Sequence, residues 1–451
     1  MSKKNNIKTV IMAGGIGSRI QSVNSELPKP LIPINGKPVL QYEIECLVSQ
    51  GFTDIILTVS HKAEMIQDYF GDGEKFGASI TYYNETTPLG NAGALFKLWE
   101  SGDLNGDFLL LNADSMFDVD FHRFLKFHWS HKALASLFTH PNSHPYDSGL
   151  IITGEGHRVE QWLTKEDKRL EYYKNRVNAG LHILNTAVFE TVGISTDLIG
   201  TTGADGKIVK VDLDRQILKP LAGTGKLYAY DSPEYVKDMG TPERFEQVSR
   251  DLASGLVKSR NLTRPQKAIF LDRDGTINRY NVFVRSIDQF TLLPGVEEAI
   301  RLINESGYLV IVITNQPVIA RGEVTVEELK LIHNKMETML GEQGAYLDAI
   351  YYCPHHPDKG FDGEVEELKV DCNCRKPKPG MILKASQDFN IKLGSSWMIG
   401  DGWRDVECGY NAGTHTVLLT GEGTEGIDLK SCERQAEIVE EDLLSAVKRM
   451  L

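Results

Sequence analysis

The chain lacks any apolar run of membrane-spanning length. Stretches such as Leu109-Leu110-Leu111 and Val310-Ile311-Val312-Ile313 stop after a few residues, where a spanning helix needs roughly 20. The start, Met1-Ser2-Lys3-Lys4-Asn5-Asn6, is basic, but Gly14-Gly15 cuts off the apolar run behind it, so no secretion signal is expected. Cysteine is scarce, six in 451 residues, which excludes a disulfide scaffold and suits a reduced cytoplasm. Positive charge is short as well. With 49 Lys and Arg against 62 Asp and Glu the formal net charge is −13, the wrong sign for electrostatic nucleic-acid binding. No internal repeat or low-complexity tract appears. What remains is a cytoplasmic protein with small-molecule partners, its oligomeric state open and a homo-oligomer included.

What is present falls into two sets of motifs. In the second half, the apolar run Ala268-Ile269-Phe270-Leu271 leads into Asp272-Arg273-Asp274-Gly275-Thr276. A strand points residues i and i+2 the same way, so Asp272 and Asp274 are expected to face one cation and one phosphate. One carboxylate would attack phosphorus and the other would handle the proton of the leaving oxygen. A second apolar run ends in Thr314-Asn315-Gln316, followed later by Arg375-Lys376-Pro377 and by Gly400-Asp401, with Asp405 four residues on. Cys353-Pro354-His355-His356-Pro357 and Cys372-Asn373-Cys374 add four soft ligands, the number a closed tetrahedral zinc site needs. Either His355 or His356 could supply the nitrogen.

This order of two acids, hydroxyl, base and acid resembles the haloacid dehalogenase superfamily of Mg²⁺ phosphatases. With Ile319-Ala320-Arg321-Gly322, the Cys-His loop and Cys372-Asn373-Cys374-Arg375-Lys376-Pro377, residues 267 to about 440 resemble the D,D-heptose 1,7-bisphosphate phosphatase family. A histidinol phosphatase family shares many of these features. The resemblance implies Mg²⁺ at Asp272, Asp274 and Asp401, substrate contacts from Thr314, Asn315, Arg321, Arg375 and Lys376, and structural zinc on Cys353, His355, Cys372 and Cys374. Two departures, Pro317-Val318 for Ser-Gly and Gly402 for a basic residue, fall where a sugar would lie, with Arg404 nearby. Only 42 positions separate Asp272 from Thr314, too few for a cap domain beside the helix expected near 294–306.

In the first half, Val10-Ile11-Met12-Ala13 runs into Gly14-Gly15-Ile16-Gly17-Ser18-Arg19, a turn where backbone N–H groups can approach phosphates. Ile20 stands where a dinucleotide fingerprint needs its third glycine. Pro28-Lys29-Pro30, Pro88-Leu89-Gly90-Asn91-Ala92-Gly93, the run ending at Asp114, Asn178-Ala179-Gly180 and Asp238-Met239-Gly240-Thr241-Pro242-Glu243 follow. Together they resemble the sugar-1-phosphate nucleotidyltransferases. The resemblance implies catalytic Arg19 and Lys29, nucleotide and sugar contacts from Gly14, Gly15, Gly17, Gly90 and Asn178, and Mg²⁺ on Asp114 and Asp238. Where relatives read Glu-Lys-Pro, the chain offers Glu160 and Lys165.

The expected fold is α/β: two Rossmann-like three-layer domains, a nucleotidyltransferase fold over 1–250, a linker over 251–266, and an uncapped haloacid dehalogenase fold with a zinc loop over 267–451. The joint resemblance implies GDP-heptose synthesis for cell-surface glycans, with GTP as co-substrate. The same two reactions on another hexose 1-phosphate, a histidinol-phosphate-like phosphatase, or a nucleotide-sensing first half stay open as alternatives. His61, His122, His128, His131, His140, His144 and His157 show no metal-ligand spacing and receive no role.

Overall fold

In the computed structural model the described residues are 7–15, 24, 26–164, 166–426 and 434–451. The chain divides into two compact units. Met1–His140, Gly149–Thr164 and Asn178–Asn261 form the first; Pro141–Ser148, Lys165–Val177 and Leu262–Leu451 form the second. No helix among the described residues is long and apolar enough to cross a membrane.

The first unit is built on a nine-stranded sheet. Its centre is parallel, in the order Asp107–Asn112, Lys8–Met12, Asp54–Val59, Ser79–Asn84, with Val10 opposite both Leu110 and Ile56. Strands covered on both faces must be apolar on both. Val10, Ile56, Phe108 and Leu110 accordingly enter one core, and Ile11, Ile55, Leu109 and Leu111 the other. Val177–Asn185 runs antiparallel beside Asp107–Asn112. A small ribbon pairs Ser115–Asp118 with Tyr235–Asp238, and helix Pro242–Ala253 follows. That helix starts where its sequence says it should: Thr241 accepts the Arg244 N–H, and Pro242 takes the first turn, where a missing N–H costs nothing.

The second unit is a six-stranded parallel sheet in the order Ala349–Cys353, Leu309–Asn315, Ala268–Leu271, Trp397–Gly400, His415–Leu419, Ile438–Glu440. Numbered along the chain, this is 3-2-1-4-5-6, whose switch point lies between the first and fourth strands. Ligands bind such sheets beyond the strand carboxyl ends at that point, and Asp272 and Asp401 are the residues that emerge there. Helices cover both faces. Ile269 and Leu271 pack on one side with Ile300, Met336 and Val447; Ala268 and Phe270 pack on the other with Ile382, Ala385 and Cys408. Between Asp272 and Thr314 the only α-helix is Val296–Ser306, so no cap domain is inserted.

Pro141–Ser148 and Lys165–Val177 come from the first half of the sequence yet belong to this second unit. They pack on helix Val326–Glu342. The Tyr173 N–H donates to Thr338 Oγ1 (2.9 Å) and the Asn175 N–H to Glu337 Oε2 (3.0 Å). Arg176, almost wholly buried, donates to Glu337 Oε2 (3.2 Å) and to the Asp348 carbonyl (2.9 Å). Removing one member of a buried pair strands the other charge in low dielectric. Arg176→Ala should therefore destabilise the second unit by about 3–5 kcal/mol, read as a lower denaturant midpoint. An unchanged midpoint would show that the segment merely rests on the helix.

Candidate active sites

The second unit collects its charged residues at the sheet switch point. The buried Lys376 ammonium donates to Asp405 Oδ1 (2.6 Å) and pairs with Asp272 Oδ1 (2.8 Å). Asp401, next to the adjoining strand, completes a group of three carboxylates, Asp272, Asp401 and Asp405, whose ligand atoms lie within 4.8 Å of one another. Burial pushes Asp272 up to about 7, Asp405 adding to the rise while Lys376 opposes it. Burial, then Asp272 and Asp405, push Asp401 up to about 8. Although burial works against its charge, Asp272 and Asp405 hold Lys376 above the usual lysine range. Three crowded carboxylates against one ammonium leave an excess of negative charge that fits a divalent, oxygen-preferring cation.

The supporting shell fixes these groups. Asn315 Oδ1 accepts the Lys376 N–H (3.0 Å) and its Nδ2 donates to the Lys376 carbonyl (3.2 Å), a two-way clasp between strand and loop. Thr314 is buried, its hydroxyl oxygen accepting from Gln316 Nε2 (2.9 Å). Gly275, at φ +80°, has no alternative: a Cβ there would lie 1.7 Å from Asp401 Oδ2.

Asp274 departs from the expected arrangement. The strand stops at Leu271, so the i, i+2 rule no longer governs, and the Asp274 carboxylate accepts from Arg273 Nη2 (2.8 Å), Asn278 Nδ2 (3.0 Å) and Gln316 Nε2 (3.0 Å). Asp405 takes the third place in the carboxylate cluster. Its four-residue spacing from Asp401 was the available signal. It sits in the first turn of helix Trp403–Ala412, where its Oδ2 accepts the Gly402 N–H (2.9 Å).

The loop carrying Arg375 and Lys376 is gathered by sulfur. Cys353, His355, Cys372 and Cys374 offer ligand atoms within 4.8 Å of one another. The sulfurs are 3.2–3.4 Å apart and His355 Nδ1 is 3.3 Å from Cys374 Sγ. These separations are far beyond a disulfide and slightly inside the roughly 3.8 Å that tetrahedral zinc–thiolate bonds impose. The set fits zinc. His356 faces elsewhere, its Nδ1 accepting the Asp358 N–H (3.1 Å). Arg375 donates to the His355 carbonyl (3.4 Å), and burial together with the Arg404 and Arg321 guanidiniums lowers it. Arg321 lies between the Phe283 and Phe361 rings, 4.6 and 4.4 Å from their centroids.

In the first unit a cleft of about 560 Å³ opens over the parallel strand ends, lined by Gly14, Gly15, Lys29, Glu85, Gly90, Asp114 and Lys210 among others. Lys29 Nζ donates to Asp114 Oδ2 (2.5 Å). Gly90, at φ +85°, brings the backbone against Val211, where a Cβ would meet the carbonyl at 2.3 Å. The Met239 N–H donates to the Asp114 carbonyl (3.0 Å), which brings the Asp238 segment alongside. Asp238's own carboxylate takes both oxygens to Arg244 Nη1 (2.9 and 2.8 Å). Burial works against its charge, but Arg244, the Gly240 N–H and Lys29 hold it below the usual range. Asn178 has its Oδ1 held by the Gly180 N–H and by His182 Nε2 (both 3.2 Å). Burial lowers His182 to about 4, so the ring is neutral. Gly17, Arg19 and Lys165 lie outside the described residues. Lys210 and Glu85 belong to no expected motif, and only the fold brings them to the cleft.

Two α/β units, one presenting a glycine turn with a lysine–aspartate pair and the other a buried aspartate–lysine cluster, define a chain with two enzymes, a nucleotidyltransferase and a phosphatase. The nucleotidyl transferase family model matches residues 8–255, more than half the chain, and the HAD-hydrolase-like model matches residues 373–446. The D-glycero-beta-D-manno-heptose-1,7-bisphosphate 7-phosphatase of Yersinia pestis is 42% identical over 162 residues, 36% of this chain and 84% of that protein. Two solved structures are also similar. The D,D-heptose 1,7-bisphosphate phosphatase of B. bronchiseptica, complexed with magnesium and phosphate, has 32% identity and TM-score 0.37, covering 41% of this chain and 98% of its own. HddC from Yersinia pseudotuberculosis complexed with GMP-PN has 24% identity and TM-score 0.42, covering 55% and 99%. The chain belongs to the nucleotidyl transferase family through its first unit and to the heptose-1,7-bisphosphate 7-phosphatase family through its second.

Two outcomes follow from this geometry. Gly275→Ala should cut phosphatase turnover by about 10²-fold or more, because its methyl displaces the Asp401 carboxylate; turnover within threefold of wild type would show that Asp401 can move freely. Protein purified without chelator should carry one zinc per chain by elemental analysis. Cys372→Ser should then lower the stability of the second unit as well as its turnover. Absence of stoichiometric zinc, or a Cys353–Cys374 disulfide, would remove the metal clamp.

Proposed function

We propose that the second unit removes the 7-phosphate of D-glycero-D-manno-heptose 1,7-bisphosphate, and that the first transfers GMP from GTP to the resulting heptose 1-phosphate. The observation that carries this reading is the pairing itself. A 7-phosphatase leaves a sugar 1-phosphate, which is what a sugar nucleotidyltransferase consumes, and one chain holds both sets of residues.

In the phosphatase, Asp272 attacks phosphorus to form an aspartyl-phosphate, and Asp274 gives a proton to the departing sugar oxygen and then takes one from the attacking water. Its three hydrogen-bond donors keep Asp274 oriented for that exchange. Lys376 balances charge beside the nucleophile, Thr314 and Asn315 bind phosphoryl oxygens, and Arg321 and Arg375 hold the remote end of the substrate. Mg²⁺, when bound by Asp272 and Asp401 with Asp274 or Asp405 near it, would supply further neutralisation of phosphoryl oxygens. Zinc, when bound by Cys353, His355, Cys372 and Cys374, would fasten the loop that presents Arg375 and Lys376 and take no part in the chemistry.

In the transferase the sugar phosphate oxygen attacks the α-phosphorus in line and pyrophosphate leaves, so the protein positions groups and neutralises charge. Lys29 binds the α-phosphate or the sugar phosphate, Arg19 the pyrophosphate, and Asp114 and Asp238 are the residues that would hold Mg²⁺. The backbone of Gly14, Gly15 and Gly17 approaches the nucleotide, with Gly90 and Asn178 on the nucleotide and sugar side. The free cysteines among the described residues suit a cytoplasmic setting.

Incubation with each anomer of heptose 1,7-bisphosphate, GTP and Mg²⁺ should yield inorganic phosphate, pyrophosphate and GDP-heptose by mass analysis. Both anomers belong in the assay, since the relative is named for the β form and Pro317-Val318 and Gly402 fall where the sugar would lie. Asp272→Asn should stop phosphate release yet still convert supplied heptose 1-phosphate. Lys29→Ala should do the reverse, letting heptose 1-phosphate accumulate with transfer slowed about 10²-fold or more. GDP-heptose formed by Lys29→Ala at the wild-type rate would sink the transferase assignment.

A further inference from the structure

Between Asp272, the proposed nucleophile, and Asp274, the proposed proton carrier, stands a residue to which the mechanism gives no part. Arg273 has no exposed surface. Its guanidinium meets the Asp274 carboxylate through two nitrogens, Nη2 at 2.8 and 3.0 Å from the two oxygens and Nε at 3.3 Å from one of them. A buried guanidinium keeps its charge, and its five N–H groups need acceptors. The third nitrogen, Nη1, lies 3.2 Å from His333 Nε2.

The chemistry of the pair fixes the direction of that bond. Arginine only donates, so the imidazole accepts, which requires a bare Nε2 and the ring proton on Nδ1. A charged ring has no lone pair to offer, and burial with the neighbouring Arg273 charge holds His333 well below the usual histidine range. The ring is buried and stands edge-on to Tyr352, their centroids 5.9 Å apart. Its helix, Val326–Glu342, is fixed at the start by a capping box between Thr325 and Glu328, and one turn beyond His333 by the bond from Arg176 to Glu337. The acceptor is therefore presented from a rigid element, as precise placement of a supporting group requires.

We propose that His333 is a positioning residue of the phosphatase, a neutral acceptor that locks the Arg273 fork and through it aims the Asp274 carboxyl at the sugar oxygen. This rests on the acid–base role proposed above for Asp274. In that step the bond from Asp272 to phosphorus forms, the bond from phosphorus to the sugar oxygen breaks, and the proton passes from Asp274 to that oxygen. Loss of the acceptor strands Nη1 away from water, and the guanidinium then settles where it no longer holds Asp274 in line.

The test compares kcat/KM of the full chain for heptose 1,7-bisphosphate, whose alkoxide needs a proton to leave, and for p-nitrophenyl phosphate, whose phenolate leaves without one. Because kcat/KM covers events only up to departure of that group, the first substrate alone depends on Asp274 as an acid. His333→Leu should lower the bisphosphate value by about 10-fold or more and the aryl value by less than about threefold. His333→Gln, whose side-chain oxygen still accepts, should stay within about threefold on both. Histidine-selective ¹⁵N NMR reads the ring itself, its signal assigned by its loss in His333→Gln: Nδ1 should carry the proton and Nε2 none. Equal losses on the two substrates in His333→Leu, a Gln variant as impaired as the Leu variant, or a ring protonated at Nε2 would each overturn the proposal. If His333→Leu does not fold, or the wild type ignores the aryl ester, the Gln variant on the bisphosphate and the ring proton decide. Asp274→Asn should show the same split between substrates; equal losses there would remove the acid–base reading itself, whereas a split there without one in His333→Leu would sink this proposal alone.

Discussion

The second unit depends on one arrangement, a lysine ammonium and three carboxylates held nearly out of water at the end of a parallel sheet. Taking each charge from water costs several kcal/mol, and only close pairing with fixed geometry offsets that cost. Lys376 meets both Asp272 and Asp405 within 2.8 Å. The rest of the site keeps it there. The Asn315 amide clasps the backbone on either side of Lys376, Gly275 leaves room for Asp401, and Asp405 is anchored through the Gly402 N–H. The sulfur cluster belongs to the same requirement. It fastens the loop two residues before Lys376, and that loop has little regular structure of its own.

The first unit handles the same kind of ligand differently. Its Lys29–Asp114 pair stands at the edge of an open cleft, with Asp114 about a third exposed, so water and ligand share the work of solvation. Beneath it Glu43 is wholly buried. Burial and the nearby Asp114 raise it well above the usual carboxylate range. The contrast follows from the two proposed chemistries. An aspartate that attacks phosphorus gains from poor solvation, whereas a transferase whose substrates bring their own nucleophile needs mainly orientation and charge balance.

Much of this was legible in the sequence where chemistry coincides with a strand end. Asp272 after Ala268–Leu271, Asp401 after Trp397–Gly400 and Asp114 after Asp107–Asn112 each follow an apolar run, and a parallel sheet delivers such residues to one edge. The four zinc-type ligands were legible because short spacing alone brings them together. What was not legible depends on where side chains turn after the strand has ended. Asp274 accepts from Arg273 and Gln316, and Asp238 accepts from Arg244, partners that no strand pattern places beside them. Nor does a sequence pattern announce that Lys165–Val177 packs on helix Val326–Glu342. That contact joins residues about 160 positions apart through Arg176 and Glu337, and each looks like an ordinary surface charge until both are seen buried.

Net charge sets a final constraint on how this protein meets anionic substrates. At −13 the whole-molecule field opposes a sugar bisphosphate or a triphosphate. Exposed charges are screened beyond about 8–10 Å at ordinary salt, so capture is decided by what stands inside that distance. In the second unit that is Arg321, held between two aromatic rings, with Arg375 and Arg404 near enough to lower one of their number. In the first it is Lys29 and Lys210 at the cleft.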